Sequence, residues 1–264
     1  PEGQPNAFLE SLGIMRSGRV ILSMRDKFRQ INHFLELLGH SRLLRDAPAH
    51  TLRMVDCGCG RALLTLAACH YLRAGLGLQV ALTGLDENPE VIAAAESLRT
   101  RSGLEDVELI RSRIEDYRPA EPPDIILSLH ACDTATDDAL AQGINWGSAL
   151  ILAAPCCQHE LHHQIKREEF RAVLRHGILR ERTADIVTDA LRAAAMRVMG
   201  YATDVMEFIA SSHTTKNRII RAEKDRESAL PRSVAEYLAL RDFWAVTPAI
   251  EKRLGPEFQR RLVR

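Results

Sequence analysis

Two stretches concentrate the side chains able to do chemistry. The first reads Ser128-Leu129-His130-Ala131-Cys132-Asp133-Thr134-Ala135-Thr136-Asp137, and the second Ala154-Pro155-Cys156-Cys157-Gln158-His159-Glu160-Leu161. Imidazole and carboxylate groups this close suit proton transfer at a bound substrate, so His130, Asp133 and His159 are candidate bases or orienting groups, with Lys216 another downstream. Cys156 could instead attack a pyrimidine ring as a thiolate, but that needs a lowered thiol pKa, and buried structural cysteines are commoner. Zinc is not expected: Cys132, Cys156, Cys157, His159, His162 and His163 have suitable donors, yet no Cys-x-x-Cys pair occurs and adjacent cysteines seldom chelate one ion together.

These stretches need a scaffold that brings them together. Short β-type runs at 52–57, 79–85, 107–110, 124–129 and 149–154 alternate with helical compositions at 63–73, 89–101 and 136–142. That alternation predicts a parallel sheet with crossover helices. The reactive stretches then follow the fourth and fifth strands, at the carboxyl edge where an open α/β sheet binds its ligands. Helical segments at 168–175 and 183–198 precede two further strands at 204–210 and 217–222, which would complete a seven-stranded sheet with an antiparallel pair. Residues 8–45 carry apolar side chains at helical spacing, among them Phe28, Ile31, Phe34, Leu35 and Leu38, so an amphipathic helix is expected up to Gly39. The tail from 231 to 264 suggests two helical segments, broken near Pro248 and Gly255, with no readable chemistry.

A ligand loop follows the first strand. Val55-Asp56-Cys57-Gly58-Cys59-Gly60 leads into a helix near Leu63, the strand-turn-helix context in which glycines let a backbone approach a nucleotide. Leu63 stands where a dinucleotide fingerprint wants Gly or Ala, and no Gly-Lys-Ser/Thr occurs, so NAD and ATP are disfavoured. S-adenosylmethionine (SAM) carries no pyrophosphate and tolerates the larger residue. The second strand ends in Gly84-Leu85-Asp86, which puts a carboxylate at its tip for ribose hydroxyls. After the third strand, Asp116 or Glu115 is positioned to accept from an adenine amino group. Each acid alone is more often a cap or a solvated turn; the ordered set of glycine pair, acid after the second strand and acid after the third is far more specific. The expected fold is therefore α/β, a Rossmann-like seven-stranded class I methyltransferase sheet. It divides into a helical extension over 1–50, a SAM-binding domain over 51–222 and a helical tail over 223–264.

The two reactive stretches resemble a known methyltransferase family. It includes tRNA 2′-O-methyltransferases with a His-x-Cys-Gly-x-Ala-Thr-Asp motif followed by Cys-Cys-His, together with methyltransferase-like and glutathione-S-transferase-C-terminal-domain-containing proteins. The run Ser212-His213-Thr214-Thr215-Lys216-Asn217 is similar to bacterial members, and the resemblance covers about residues 25–222. It implies that Asp56, Gly58, Gly60, Asp86, Asp116 and Ser128 or His130 line SAM, while Asp133, Cys156 and His159 face the acceptor. Asp133 stands where the tRNA enzymes carry Gly, and Gln158 separates Cys157 from His159. Lys27 and Gln30 resemble a lysine-bearing helix leading into the catalytic domain of related enzymes, where they would cover the methionine end of SAM; a solvated helix face is the bland reading. The Asn/Asp-Pro-Pro-aromatic motif of amino-group methyltransferases is missing after the fourth strand, which favours oxygen over nitrogen as acceptor.

Composition narrows the partners. Lys and Arg number 7 against 5 Asp and Glu in residues 1–50, 8 against 16 in 51–165 and 20 against 14 in 166–264, within a net charge of zero. Basic flanks around an acidic centre fit an RNA substrate, and solvated helix faces are the plain alternative. Two other functions remain open: methylation of a protein or small molecule, and a non-catalytic SAM-binding module. No apolar run is long enough to cross a bilayer, no secretory signal opens the chain, and the six cysteines sit in or beside apolar runs, so a cytoplasmic enzyme with reduced thiols is expected. The chain opens at Pro1 without Met, as a sequence lacking an upstream piece would.

Overall fold

The computed structural model describes residues 6–46, 49–129, 131–156, 158–207, 217–225 and 230–263. Its centre is a seven-stranded sheet built from β1 (Leu52–Cys57), β2 (Val80–Asp86), β3 (Glu108–Arg111), β4 (Ile125–Ser128), β5 (Leu150–Ala153), β6 (Tyr201–Glu207) and β7 (Arg218–Lys224). The spatial order is β3-β2-β1-β4-β5-β7-β6. The first five strands run parallel, and β7 inserts antiparallel between β5 and β6. The strand order reverses between β1 and β4, which opens a crevice at their carboxyl ends.

The apolar runs in these strands serve two cores at once. Because strand side chains alternate between faces, Met54, Ile125, Leu127, Leu150 and Leu152 enter one cluster, while Val55, Ile126, Ile151 and Ala153 enter the other. The first cluster is covered by α1 (Arg25–Gly39), α2 (Leu63–His70) and α3 (Pro89–Arg101), through Phe34, Leu38, Leu64 and Ala95 among others. The second is covered by α4 (Thr134–Asn145), α5 (Gly177–Val198), α6 (Leu230–Trp244) and α7 (Ala249–Leu262).

Elements differ from expectation where local backbone chemistry intervenes. The stretch 8–45 is not continuously helical: Met15–Arg16 and Arg19–Val20 form a small antiparallel ribbon before α1. Ser17 and Gly18 between them both have positive φ, 49° and 77°, the geometry of the tight turn that joins two twisted strands. The helix expected to reach Arg73 stays α-helical only to His70 and then widens into a π-helical turn over Tyr71–Gly75. The C-terminal break near Gly255 is a kink within α7, where φ 66° and ψ −153° precede Pro256. No helix among the described residues is long and apolar enough to cross a membrane.

Candidate active site

The loop after β1 is tied to the tip of β2. Gly58 and Cys59 donate their backbone N–H groups to Leu85 O at 2.9 and 2.8 Å, and Gly60 N donates to Asp86 Oδ2 at 3.1 Å. Asp86 Oδ1 accepts from Asn88 N at 3.0 Å, so this carboxylate organises both the loop and the start of α3. Gly58 has φ +75° and Gly60 φ +57°, a region costly for side chains. A Cβ on Gly58 would also lie 3.2 Å from Ala131 N and 3.3 Å from Ala131 Cα, which is how closely the loop after β4 crosses over it. Asp56 sits beneath. It is fully buried, accepts from Thr65 Oγ1 on α2, and its Oδ1 has no partner among the described residues. Burial pushes its pKa up to about 6, against the pull of the Thr65 hydrogen bond and with a further push from the Asp86 charge.

A cleft of about 410 Å³ opens over this loop, large enough for a nucleoside-sized ligand. Its walls are Gly58, the β2 tip at Leu85, Asp86 and Glu87, the segment Ser112–Glu115 after β3, and Ala131, Cys132, Thr134 and Ala135 after β4. The donor set suits an adenosine group: Asp86 and Glu87 can accept from ribose hydroxyls, Glu115 from a base amino group, and Gly58 leaves room for close approach. Of the residues expected to line SAM, Gly58, Asp86 and Glu115 are on these walls. Gly60 acts through its bond to Asp86. Asp56 and Ser128 are buried below the surface, and Asp116 is exposed and off the lining. Ser128 Oγ likewise has no partner among the described residues. His130, Cys157 and Lys216, with most of the 212–217 run, lie outside the described residues.

The loops after β4 and β5 are joined by Asp133. Its backbone has φ 51° and ψ −124°, a conformation foreign to most side chains, and its Oδ1 accepts from His159 N at 2.9 Å and Glu160 N at 3.2 Å. Cys132 Sγ, on the cleft wall, lies 3.0 Å from Cys156 Sγ on the neighbouring loop. The exposed His159 follows at once, and Glu160, pushed up to about 7 by burial, accepts from Ala249 N at the start of α7. Asp133, Cys156 and His159 are thus brought to one corner of the edge, beside Cys132.

Arg192 on α5 holds that corner from below. It is 1% exposed and donates to both oxygens of Asp137 at 3.0 and 2.7 Å, to Asp189 at 3.3 Å and to the backbone O of Asp133 at 2.7 Å. Burial works against its charge, but Asp137 and Asp189 outweigh that and raise its pKa. Asp189 accepts in turn from Gln158 Nε2 at 2.9 Å and from Arg218 Nε on β7 at 2.8 Å. Sequence reasoning passed over Arg192 and Asp189. Their signal was present: charges at i and i+3 inside the apolar run of a helix need buried partners. It also passed over Asp138 and Arg253, which complete the cleft from α4 and α7. Lys27 Nζ donates to Gln30 Oε1 at 2.6 Å on α1, and burial lowers the lysine's pKa. Among the described residues no three His, Cys, Asp or Glu side chains are grouped to hold a metal ion.

The sequence profile of the family described as Methyltransferase domain matches residues 26–164. No curated protein matches the chain. Among solved structures, an rRNA methylase from Streptococcus thermophilus is 12% identical with a TM-score of 0.46, covering 76% of this chain and 98% of its own. Magnesium protoporphyrin IX methyltransferase from Synechocystis, solved with bound SAM, is 13% identical with a TM-score of 0.47, covering 80% and 88%. A ribosomal protein L11 methylase from Lactobacillus delbrueckii subsp. bulgaricus is 13% identical with a TM-score of 0.45, covering 77% and 80%.

Proposed function

Because this chain belongs to the Methyltransferase domain family, we propose that it transfers the methyl group of SAM to RNA, at an oxygen acceptor. One observation carries the reading: a cleft at the carboxyl ends of β1 to β4 is lined by Gly58, Asp86 and Glu115 together with Cys132. Bound SAM supplies an electrophilic methyl on a sulfonium. The protein's own task is then to align an acceptor and take its proton. Asp86 and Glu87 bind the ribose, and Glu115 binds the base. Asp133 spends Oδ1 on two backbone N–H groups, so it positions the His159 turn, while the exposed His159 imidazole accepts the proton of an incoming hydroxyl. Residues 51–222 act as the catalytic domain, with helical extensions before and after.

RNA as substrate is supported by the excess of 20 Lys and Arg over 14 Asp and Glu in residues 166–264 and by the likeness of the Cys132 and Cys156 stretches to tRNA methyltransferase motifs. The assay supplies SAM carrying a labelled methyl to the protein with total RNA, total protein and small metabolites in separate reactions. Label is expected in RNA, and His159→Ala should lose turnover while still binding S-adenosylhomocysteine. Incorporation confined to protein or metabolites overturns the RNA substrate, and no incorporation anywhere overturns the activity. RNA affinity should also fall steeply as salt rises.

A further inference from the structure

The C-terminal helix reaches the cleft although it lies outside the matched stretch 26–164. α7 packs on α4 through Ile250, Leu254 and Phe258, which share a core cluster with Ala139 and Leu140. Where that contact meets the cleft, Arg253 Nε donates to Asp138 Oδ1, and both residues line the cavity along with Ser112–Glu115. The Arg253 side chain is 33% exposed and that of Asp138 11%. An ion pair between two helices is usually a surface staple of little consequence. This one differs in two respects. It forms part of a ligand cavity, and it is only half used: among the described residues, the second oxygen of Asp138 and the Nη groups of Arg253 make no other hydrogen bond. Glu115 is close enough for its negative charge to act on Asp138, which puts the pair at the β3 end of the cleft.

With the ribose at Asp86 and one N–H of the base amino group at Glu115, as proposed above, the rest of that base edge faces the Asp138–Arg253 pair on the adjoining wall. We propose that Asp138 and Arg253 read the edge of that base and select adenine, an inference that rests on the SAM-binding function. Adenine presents an amino donor beside a ring-nitrogen acceptor. Asp138 can only accept when ionised and Arg253 can only donate, so the pair complements that pattern. Hypoxanthine presents a carbonyl and a ring N–H at the same positions, which sets acceptor against acceptor and donor against donor. The C-terminal helix is on this account part of the cofactor site, through the turn that precedes its kink at Gly255.

Calorimetric titration of the full chain with S-adenosylhomocysteine and S-inosylhomocysteine tests this. The wild type should prefer the adenosyl compound by about tenfold or more, and Arg253→Ala and Asp138→Asn should each narrow that ratio by about tenfold. Arg253→Lys, which keeps the charge but loses the planar fork, should keep part of it. Thermal melting reports whether each variant is folded; should Arg253→Ala not fold, the nearly isosteric Asp138→Asn decides. Folded variants whose ratio equals that of the wild type overturn the adenine-reading role alone. A wild type that binds neither compound overturns the cofactor assignment beneath it.

Discussion

The two halves of the sheet's carboxyl edge are held by different means. Over β1 to β3, backbone amides of a glycine loop and one carboxylate, Asp86, set the geometry within a few residues of each strand end. Over β4 and β5, the loops are pinned by a buried ionic network in which Arg192 and Asp189 come from α5 and Arg218 from β7. The difference teaches that one wall of a cleft can be specified locally. The corner beyond β4 and β5 instead depends on groups distant in the chain, whose charges persist in the core only while every partner is present.

Breaking the network should have the largest effect. Arg192→Ala leaves Asp137 and Asp189 buried without their shared cation, and urea unfolding should show a loss of about 3–5 kcal/mol. A loss below about 1 kcal/mol would mean that the corner is not held from below, and the contrast between the halves would collapse.

A pH experiment sharpens the other half. Asp56 is held at about 6, above its ordinary 3.8, chiefly by burial, so the folded state keeps its proton more tightly than the unfolded chain. Its contribution favours folding fully below the unfolded value and is lost as pH rises through the folded one. Asp56→Asn removes that titration. Relative to wild type it should gain about 2 kcal/mol of stability between pH 4.5 and pH 8, read from paired urea curves. Equal pH slopes for the two proteins would show that Asp56 ionises as freely as in the unfolded chain.

The smallest effect on stability, and the most selective on binding, is expected at Gly58. Gly58→Ala forces a side chain into φ +75° and against Ala131, which should cost about 1–2 kcal/mol. S-adenosylhomocysteine binding should weaken at the same time, whereas Arg192→Ala, where it remains folded, should hurt methyl transfer more than cofactor binding. Comparable losses of cofactor affinity in both variants would show that the halves are not separable.

Much of the fold was legible because strand and helix differ in period. The five parallel strands follow from apolar runs short enough to be strands, separated by helical stretches long enough to cross back. That Gly58, Asp86 and Glu115 face one cleft was legible for a related reason: a loop at a strand's end has its position dictated by the strand. Neighbouring choices were not settled that way. Asp116 next to Glu115 is exposed off the lining, and Asp56 lies under the loop, because one residue's step along a turn reverses which way a side chain faces.

By itself, then, the amino-acid order determined the alternation of elements, the strand ends that border the cleft and the glycine loop on its wall, since each depends on short-range periodicity and backbone freedom. Only the tertiary structure decided that Asp133 spends its carboxylate on the His159 turn, that Arg192 props that corner, and that Arg253 enters the cleft from the last helix. Those contacts join residues far apart in the chain, and burial determines which charged groups must find each other. No local pattern records that requirement.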